Sequence, residues 1–208
     1  VSGKTISTTT PNEIEMFHDD TVCSHEYYNA DGFCEACGAY QEPKNWKGYY
    51  EIYNAGQLFW FAKQFNDDKN FNKKSNLKLM KDIKIPDGYD WTSIRDKSGT
   101  RSFEGTIEGN YHVISGLRPA KDGESYEWGL VGRIQHGSVQ NIGLVLEGNW
   151  TCGLCRTAMY DDVKIQNCFV VGTDFLYRSS NGTVTNCLAV SGKLEGTKTP
   201  NDHRATFT

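Results

Sequence analysis

The chain has 208 residues, of which 21 are glycine, and a formal net charge of −4. A slightly acidic chain presents no basic surface for nucleic acid. No apolar run approaches the ~18 residues that a membrane helix needs. We therefore expect neither a nucleic-acid partner nor a membrane span in this chain.

The first 45 residues divide into two parts of different composition. Residues 1–20 are polar and rich in Thr and Ser, which predicts a linker or arm. Residues 21–45 contain a Cys-x-His pair followed by a Cys-x2-Cys pair. Two closely spaced pairs on either side of a turn suit a tetrahedral metal ion, and 29–32 is a candidate hairpin tip between them. The predicted ligands of a structural zinc ion are Cys23, His25, Cys34 and Cys37.

A disulfide is the alternative for these cysteines, because the chain is a candidate for secretion. A bridge between Cys34 and Cys37 would leave Cys23 and His25 without a role. This segment contains few apolar residues, so we expect metal binding to supply its folding free energy. We also expect it to be coupled to the rest of the chain only through the short link at 43–48.

An amphipathic helix is predicted at 54–66. Asn54 is a suitable N-cap, and Gln57 completes a capping-box-like start. The apolar residues that follow recur at helical spacing and form one face. We expect this helix to cap the open end of the domain that spans 46–208. The residues of the apolar face are Leu58, Phe61, Ala62 and Phe65.

The rest of the chain repeats a short apolar phrase at intervals of roughly 20–25 residues. The copies share an Asn followed by strand-forming residues, at Asn141, Asn167 and Asn186. Repeats of strands and turns indicate a solenoid. The predicted fold is mainly β, a right-handed single-stranded parallel β-helix with an N-terminal capping helix. The three asparagine side chains should point inward and hydrogen-bond to one another.

The order of motifs over residues 52–192 resembles a family of secreted bacterial proteins that carry the GLUG motif on a right-handed β-helix. The 21–43 segment also resembles small Cys/His modules found beside such repeats in surface proteins of anaerobic bacteria. The resemblance implies export and attachment at the cell surface, and it implies no single chemistry. The matching motifs lie at 55–66, 79–83, 91–94, 103–117, 129–132 and 141–144.

Three arginines recur with the repeat and are candidates for one surface strip. If Arg133, Arg156 and Arg178 share a register, they stack about 4.8 Å apart. Such a strip would dock an anionic glycan, or it would be an ion-paired, solvated face. Trp128, Trp150 and Phe175 lie close by in sequence, where they would stack on sugar rings or pack at the rim.

Parallel β-helices also host polysaccharide lyases and glycosidases, so an enzyme is the competing class. Asp161 and Asp162, with His136 one repeat earlier, are the obvious candidates. Their order differs from that of the pectin-hydrolysing family, which favours a turn at the two aspartates.

The four remaining cysteines are expected to belong to the core. Cys152 and Cys155 would lie on opposite faces of an extended strand, too far apart to bridge. Cys168 and Cys187 should stack in adjacent layers, at a separation that would permit a disulfide and equally suits two thiols.

Together these features predict a monomeric extracellular or cell-surface module. Its role would be non-catalytic, as an adhesin-like binding or spacer element whose partner is a glycan or a host or cell-surface protein. The alternative is a fragment of a carbohydrate-active enzyme.

Overall fold

One helix and fourteen strands form the regular structure of residues 23–95, 101–120, 129–179, 182–193 and 206–207, which the computed structural model describes. The helix α1 is Ala55–Asp67. The prediction of a mainly β chain is confirmed. The strands are β1 (Asn45–Trp46), β2 (Tyr49–Ile52), β3 (Asn76–Leu79), β4 (Ile83–Lys84), β5 (Thr106–Leu117), β6 (Val131–Gln135), β7 (Ser138–Leu146), β8 (Cys155–Met159), β9 (Lys164–Gln166), β10 (Phe169–Val171), β11 (Leu176–Ser179), β12 (Thr183–Thr185), β13 (Leu188–Val190) and β14 (Thr206–Phe207).

The strands stack in parallel in three groups. The first stack contains β2, β3, the first part of β5, the first part of β7, β9, β12 and β14. The second contains β4, the later parts of β5 and β7, β10 and β13. The third contains β6, β8 and β11. Among the described strands only β1 is antiparallel, and it pairs with β2 at the edge of the first stack.

Asparagines mark the bends between the first and second stacks. Asn141 bends β7 with a φ of 55°, and Asn167 and Asn186 follow β9 and β12 with φ values of 53° and 51°. Left-handed backbone is unfavourable for most residues, whereas Asn tolerates it because its short amide bonds locally. The repeated Asn is therefore required by the backbone at each bend.

The amides of these asparagines form a ladder across the layers. Asn167 Nδ2 donates to Asn141 Oδ1 at 2.8 Å, and Asn186 Nδ2 donates to Asn167 Oδ1 at 2.9 Å. Asn141 Nδ2 donates in turn to Glu108 Oε1 at 3.1 Å. The predicted hydrogen bonds are confirmed. Asn141 and Asn167 are half-buried and Asn186 is exposed, and the inward direction stays a prediction.

A second ladder of glutamines runs beside the first and ends on the same carboxylate. Gln166 Nε2 donates to Gln140 Oε1 at 3.1 Å, and Gln140 Nε2 donates to Glu108 Oε2 at 2.7 Å. The backbone N–H of Asn110 also donates to Glu108 Oε1, at 2.6 Å. Glu108 thus accepts hydrogen bonds from both ladders and from its own bend.

Each stack contributes a column of apolar side chains to the core. In the first stack, one paired residue from each of five successive strands forms this column, and each is at most 2% exposed. Each layer therefore buries an apolar side chain against those of the layers before and after it, at roughly 1.5–3 kcal/mol per fully buried residue. This column consists of Leu77, Ile107, Val139, Ile165 and Val184.

The helix packs over the core beside β2, where the parallel stacks begin. Asn54 is the N-cap, and its side chain accepts from Gln57 N at 2.9 Å. Gln57 Oε1 accepts in return from Tyr53 N, one residue before the N-cap, at 2.7 Å, which gives a start that resembles a capping box. Phe61 and Phe65 are fully buried and contact Phe103. The helix predicted at 54–66 is confirmed.

No helix among the described residues has the length and apolarity needed to cross a membrane. The polar arm predicted at residues 1–20 lies outside the described part of the chain.

The middle rung of the asparagine ladder provides a test of this architecture. Asn167→Leu removes a donor and an acceptor at once, so we expect the free energy of unfolding to fall by about 1–3 kcal/mol, measured by urea denaturation. Asn167→Gly keeps the left-handed backbone accessible and separates the loss of the ladder from backbone strain.

Asn186→Gly is the matched control, because it removes a single ladder bond at an exposed position. The ladder would be energetically unimportant if Asn167→Gly cost no more than Asn186→Gly.

Candidate metal centre

Four candidate metal ligands converge within the N-terminal segment. The ligand atoms of Cys23, His25, Cys34 and Cys37 all lie within 4.8 Å of one another. Cys23 Sγ is 3.5 Å from Cys34 Sγ, and Cys37 Sγ is 3.2 Å from His25 Nδ1. All of these cysteines are free thiols, so no disulfide joins Cys34 to Cys37. The predicted residues are therefore close enough to hold a metal ion.

Their separations fit a tetrahedral ion. Ligand atoms at ~2.0–2.3 Å from a tetrahedral centre are ~3.3–3.8 Å apart from each other. The two short contacts, at 3.5 and 3.2 Å, need only small adjustments to reach these separations. Three sulfurs and one imidazole nitrogen also form a donor set that soft and borderline metals prefer.

A hairpin tip brings the second pair of ligands back to the first. Asn29 Oδ1 accepts from Asp31 N and Phe33 N, both at 3.0 Å. Gly32 takes a left-handed φ of 82°, and Tyr28 forms an antiparallel bridge with Cys34. The tip predicted at 29–32 is confirmed, and it explains how ligands so distant in sequence meet.

A tight turn then orients the second pair of ligands. Gly38 N donates to Cys34 O and Cys34 N donates to Ala39 O, both at 2.8 Å. The backbone N–H groups of Ala36 and Cys37 bond to the Cys34 sulfur, and that of Ala39 bonds to the Cys37 sulfur. Amide donors directed at sulfur stabilise the thiolate, which is the form that binds a metal.

The pKa values of the two thiols in this turn, Cys34 and Cys37, are shifted in opposite directions. Hydrogen bonding to His25, followed by the backbone N–H of Cys37, lowers the pKa of Cys34 to about 6. The N–H of Ala39 lowers the pKa of Cys37, but burial and the bonds with Cys23 and Cys34 outweigh it and raise that pKa to about 11. Cys34 is thus a thiolate at neutral pH, whereas Cys37 keeps its proton until a cation displaces it.

The inner side of the hairpin packs on the helix and its surroundings. Phe33, next to the ligand Cys34, is 2% exposed and stacks on Tyr89 with ring centroids 3.9 Å apart. Its edge also contacts Phe59 of α1, at 5.9 Å. The expectation that this segment is coupled to the rest only through a short link is wrong, because Phe33 belongs to the common core.

The backbones of the hairpin and the helix approach closely at two glycines. Gly56 N donates to Asp31 O at 2.7 Å. A Cβ added at Gly56 would lie 1.9 Å from Gly32 O, and one added at Gly32 would lie 2.1 Å from Asn54 Oδ1. Only glycine fits at these two positions, so the hairpin and the first turn of α1 form one unit.

A shallow surface cleft of about 350 Å³ opens beside the ligands. It is lined by Cys23, His25, Cys34 and the residues next to them. Small molecules in solution, including chelators, therefore have access to the cluster.

The predicted arginine strip is wrong in its register. Arg133 and Arg178 both pair with Thr157, so Arg156 lies one residue out of line. Two strand spacings, roughly 9.6 Å, separate the backbones of the aligned arginines, and a threonine lies between them. The three arginines therefore do not share one register.

The predicted sugar-stacking aromatic residues are also corrected. Trp150 is 9% exposed, and its Nε1 donates to Glu147 O at 3.0 Å and to Leu117 O at 3.2 Å. Phe175 is fully buried. Both are core residues, because each repeat directs one large apolar side chain inward. Trp128 lies outside the described residues.

The two aspartates proposed for catalysis occupy a turn, as the sequence favoured. Asp162 forms an ion pair with His136, with Oδ2 2.9 Å from Nδ1. The imidazole also stacks on Tyr160, with ring centroids 4.4 Å apart. This histidine–aspartate pair is exposed and joins successive layers.

Cys152 and Cys155 are both fully buried. Cys152 precedes the strand that begins at Cys155, and only Cys155 belongs to the main apolar cluster. Burial raises the pKa of Cys152 to about 12, which keeps the thiol protonated and unreactive.

The sequence analysis missed an exposed tryptophan at the first turn of the sheet. Trp46 is 51% exposed, and Lys44 Nζ and Lys47 Nζ lie 4.8 and 5.8 Å from its ring centroid. Lys47 and Gly48 form the turn with φ values of 49° and 84°. The Lys-Gly pair between two aromatic segments was the available signal for this hairpin.

Comparisons of the chain with protein-family models, with curated proteins and with solved structures found no match.

Chelation provides a test of the link between the cluster and the helix. We load the protein with zinc and then add a strong chelator. Amide hydrogen exchange should rise in residues 29–41 and also in the first turn of α1, because the Gly56 N–H loses its acceptor. Strands β9 and β10 should stay protected.

The control is a Cys37→Ser variant treated in the same way, which should show raised exchange before the chelator is added. If exchange rises only within the hairpin, the contacts at Gly32 and Gly56 do not couple the two elements.

The acidities of Cys34 and Cys37 predict how zinc affinity depends on pH. Above pH about 6 Cys34 has no proton to lose when zinc binds. Cys37, with a pKa of about 11, must lose a proton to zinc at every pH of the experiment. Below pH about 6 Cys34 is protonated as well, so it adds about one to the slope of log affinity against pH, beyond any proton that Cys23 or His25 loses to the metal.

Competition with a coloured indicator, corrected for its own protonation, measures this slope. Cys152→Ser, a change far from the ligands in sequence, should leave the profile unaltered. A single slope from pH 5 to 8 would contradict the assigned acidities.

Proposed function

We propose that this chain is a non-catalytic binding module built as a right-handed parallel β-helix. The observation that carries the proposal is the layered register, in which each repeat adds one strand to the first stack and one to the second. Asn141, Asn167 and Asn186 hold equivalent positions in successive layers, as a β-helix requires. Helix α1 then serves as the cap that covers the first layer.

The Cys/His cluster is a structural zinc site in this proposal. Three thiolates and one imidazole fill a tetrahedron without leaving a position for a reactive water molecule. The ion would hold the outer side of the hairpin, whose inner side packs on the helix cap. Its role is therefore to secure the N-terminal end of the stack.

A location outside the cell or on its surface is part of the proposal. It rests on the resemblance to GLUG-motif proteins, whose opening motif corresponds here to α1 and whose later motifs correspond to strands of the stacks.

The outer face of the first stack is the proposed binding surface. One row along this face begins with two aromatic residues and continues with amide, hydroxyl and ammonium groups, and its members are half-buried or exposed. Directly paired residues share a face, so the row is continuous. Its members are Trp46, Tyr49, Asn76, Thr106, Ser138, Lys164 and Thr183.

The neighbouring row on the same face is electrically balanced. Lys44, Glu51, Lys78 and Glu108 alternate in sign across successive strands. Gln140 and the residues after it in this row carry no charge. A face with two aromatic residues, many hydrogen-bonding groups and a neighbouring row of alternating charge suits a neutral glycan better than the anionic one that the arginines suggested.

The alternative of a carbohydrate-active enzyme rests on one observation, the ion pair of His136 and Asp162 beside Tyr160. This histidine lies where a layer passes from the third stack to the first, two residues before Ser138 of the proposed surface.

A glycan array combined with a reducing-sugar assay tests both functions. We expect binding to neutral oligosaccharides without release of reducing ends. Trp46→Ala should weaken binding about tenfold, since losing ~1–1.5 kcal/mol of stacking has that effect. Titration calorimetry with the best neutral oligosaccharide measures the change.

Tyr111→Ala is the matched control, because that side chain is 77% exposed elsewhere on the surface. Arg133→Ala should also leave binding unchanged. Release of reducing ends that is abolished by His136→Ala would replace the binding module with the enzyme.

A further inference from the structure

Two cysteines at the C-terminal end of the second stack occupy equivalent positions. Phe169 pairs with Leu188 in parallel register, so the residues before them, Cys168 and Cys187, are neighbours in adjacent layers. Adjacent parallel strands lie ~4.8 Å apart, and disulfides span Cα separations of ~4.4–6.8 Å. Both are free thiols in the structure.

The hydrogen bonds of the two thiols repeat from one layer to the next. Cys168 Sγ donates to Gln166 O at 3.0 Å, and Cys187 Sγ donates to Thr185 O at 3.3 Å. Each sulfur also contacts the carbonyl of the preceding layer, Val139 O at 3.7 Å or Ile165 O at 3.8 Å. The two side chains therefore point the same way in adjacent layers.

The accessibility of the pair differs between its members. Cys168 is 3% exposed, whereas Cys187 is half-buried beside the exposed Leu188. Among the described strands β13 pairs only with β10, so its backbone can move toward its neighbour. The neighbouring Cys168 thiol lowers the pKa of Cys187, whereas the Cys187 thiol and burial raise the pKa of Cys168. Cys187 is thus the sulfur that a reagent in solution can reach.

We propose that Cys168 and Cys187 are a site of oxidation to an intrachain disulfide that fastens β13 to β10. The inference is independent of the proposed binding function. It concerns how β13, the last described strand of the second stack, is attached to β10.

The reaction needs a low-molecular-weight disulfide such as oxidised glutathione as oxidant. The Cys187 thiolate attacks one glutathione sulfur, forms a mixed disulfide and expels one glutathione thiolate. Cys168 gives up its proton, attacks the Cys187 sulfur and expels the second glutathione. Two cysteine thiols are oxidised and one disulfide is reduced to two thiols, so atoms and electrons balance.

Closing the bond requires the sulfurs to turn toward each other. Each loses its hydrogen bond to a carbonyl, at Gln166 and Thr185. In return, a covalent link closes a short loop and restricts the unfolded chain. In an oxidising compartment such a bond would persist.

The experiment treats the zinc-loaded protein with oxidised glutathione, alkylates the remaining thiols and digests it with trypsin. Cleavage after Lys164, Arg178 and Lys193 places the two cysteines in separate peptides. We expect a disulfide-linked pair of these peptides and a several-fold slowing of amide exchange in β13. The metal ligands and the buried Cys152 and Cys155 should remain reduced.

Cys168→Ser is the matched control, since serine keeps a donor for the carbonyl. That variant should accumulate glutathione on Cys187 and show no slowing of exchange in β13. Two other results in the parent protein would overturn the proposal. One is that both cysteines are fully alkylated after oxidation, and the other is that Cys187 carries glutathione as the final product.

Discussion

The bends between the first and second stacks depend on the asparagine amide. At the three bends marked by Asn141, Asn167 and Asn186 the backbone enters the left-handed region, and the side chain finds a partner in a neighbouring layer. Asn meets both requirements, which is why one residue type recurs while its neighbours vary from Ile142 to Cys168 and Cys187. The bend sets the register of the strands on both sides, and that register aligns the apolar columns of the core.

The N-terminal end of the stack is organised around a different constraint, the contact between the metal-binding hairpin and helix α1. Phe33 directs its ring into the core, and the adjacent Cys34 directs its sulfur toward the candidate ion. Binding a metal on one side of the hairpin is thereby linked to packing on the other. A small segment with little core of its own gains stability from both, which neither the ion nor the aromatic contacts would supply alone.

Much of this structure could be predicted from sequence, because the relevant signals are local or periodic. The capping box at Asn54 and Gln57, the four ligands and the repeated Asn all depend on short spacings. The packing of Phe33 on Tyr89 does not, since the two rings come from segments far apart in the chain. The predicted arginine strip was wrong because Arg156 lies one residue out of register with Arg133, and strand pairing is sensitive to a shift of that size. Trp150 was misplaced because sequence alone does not show which aromatic side chain of a repeat is directed inward.

The hairpin of β1 and β2 also bears on how the chain avoids aggregation. An exposed strand edge is a template on which other chains can pair, and stacked parallel strands offer long ones. Here the first stack ends at β1, which is two residues long and antiparallel to its neighbour β2. Lys44 and Lys47 lie on either side of Trp46 in this strand's hairpin. A strand so short and so flanked by positive charge offers almost no surface for a second molecule to extend. The same turn that displays Trp46 to solvent therefore also keeps this end of the protein from recruiting copies of itself.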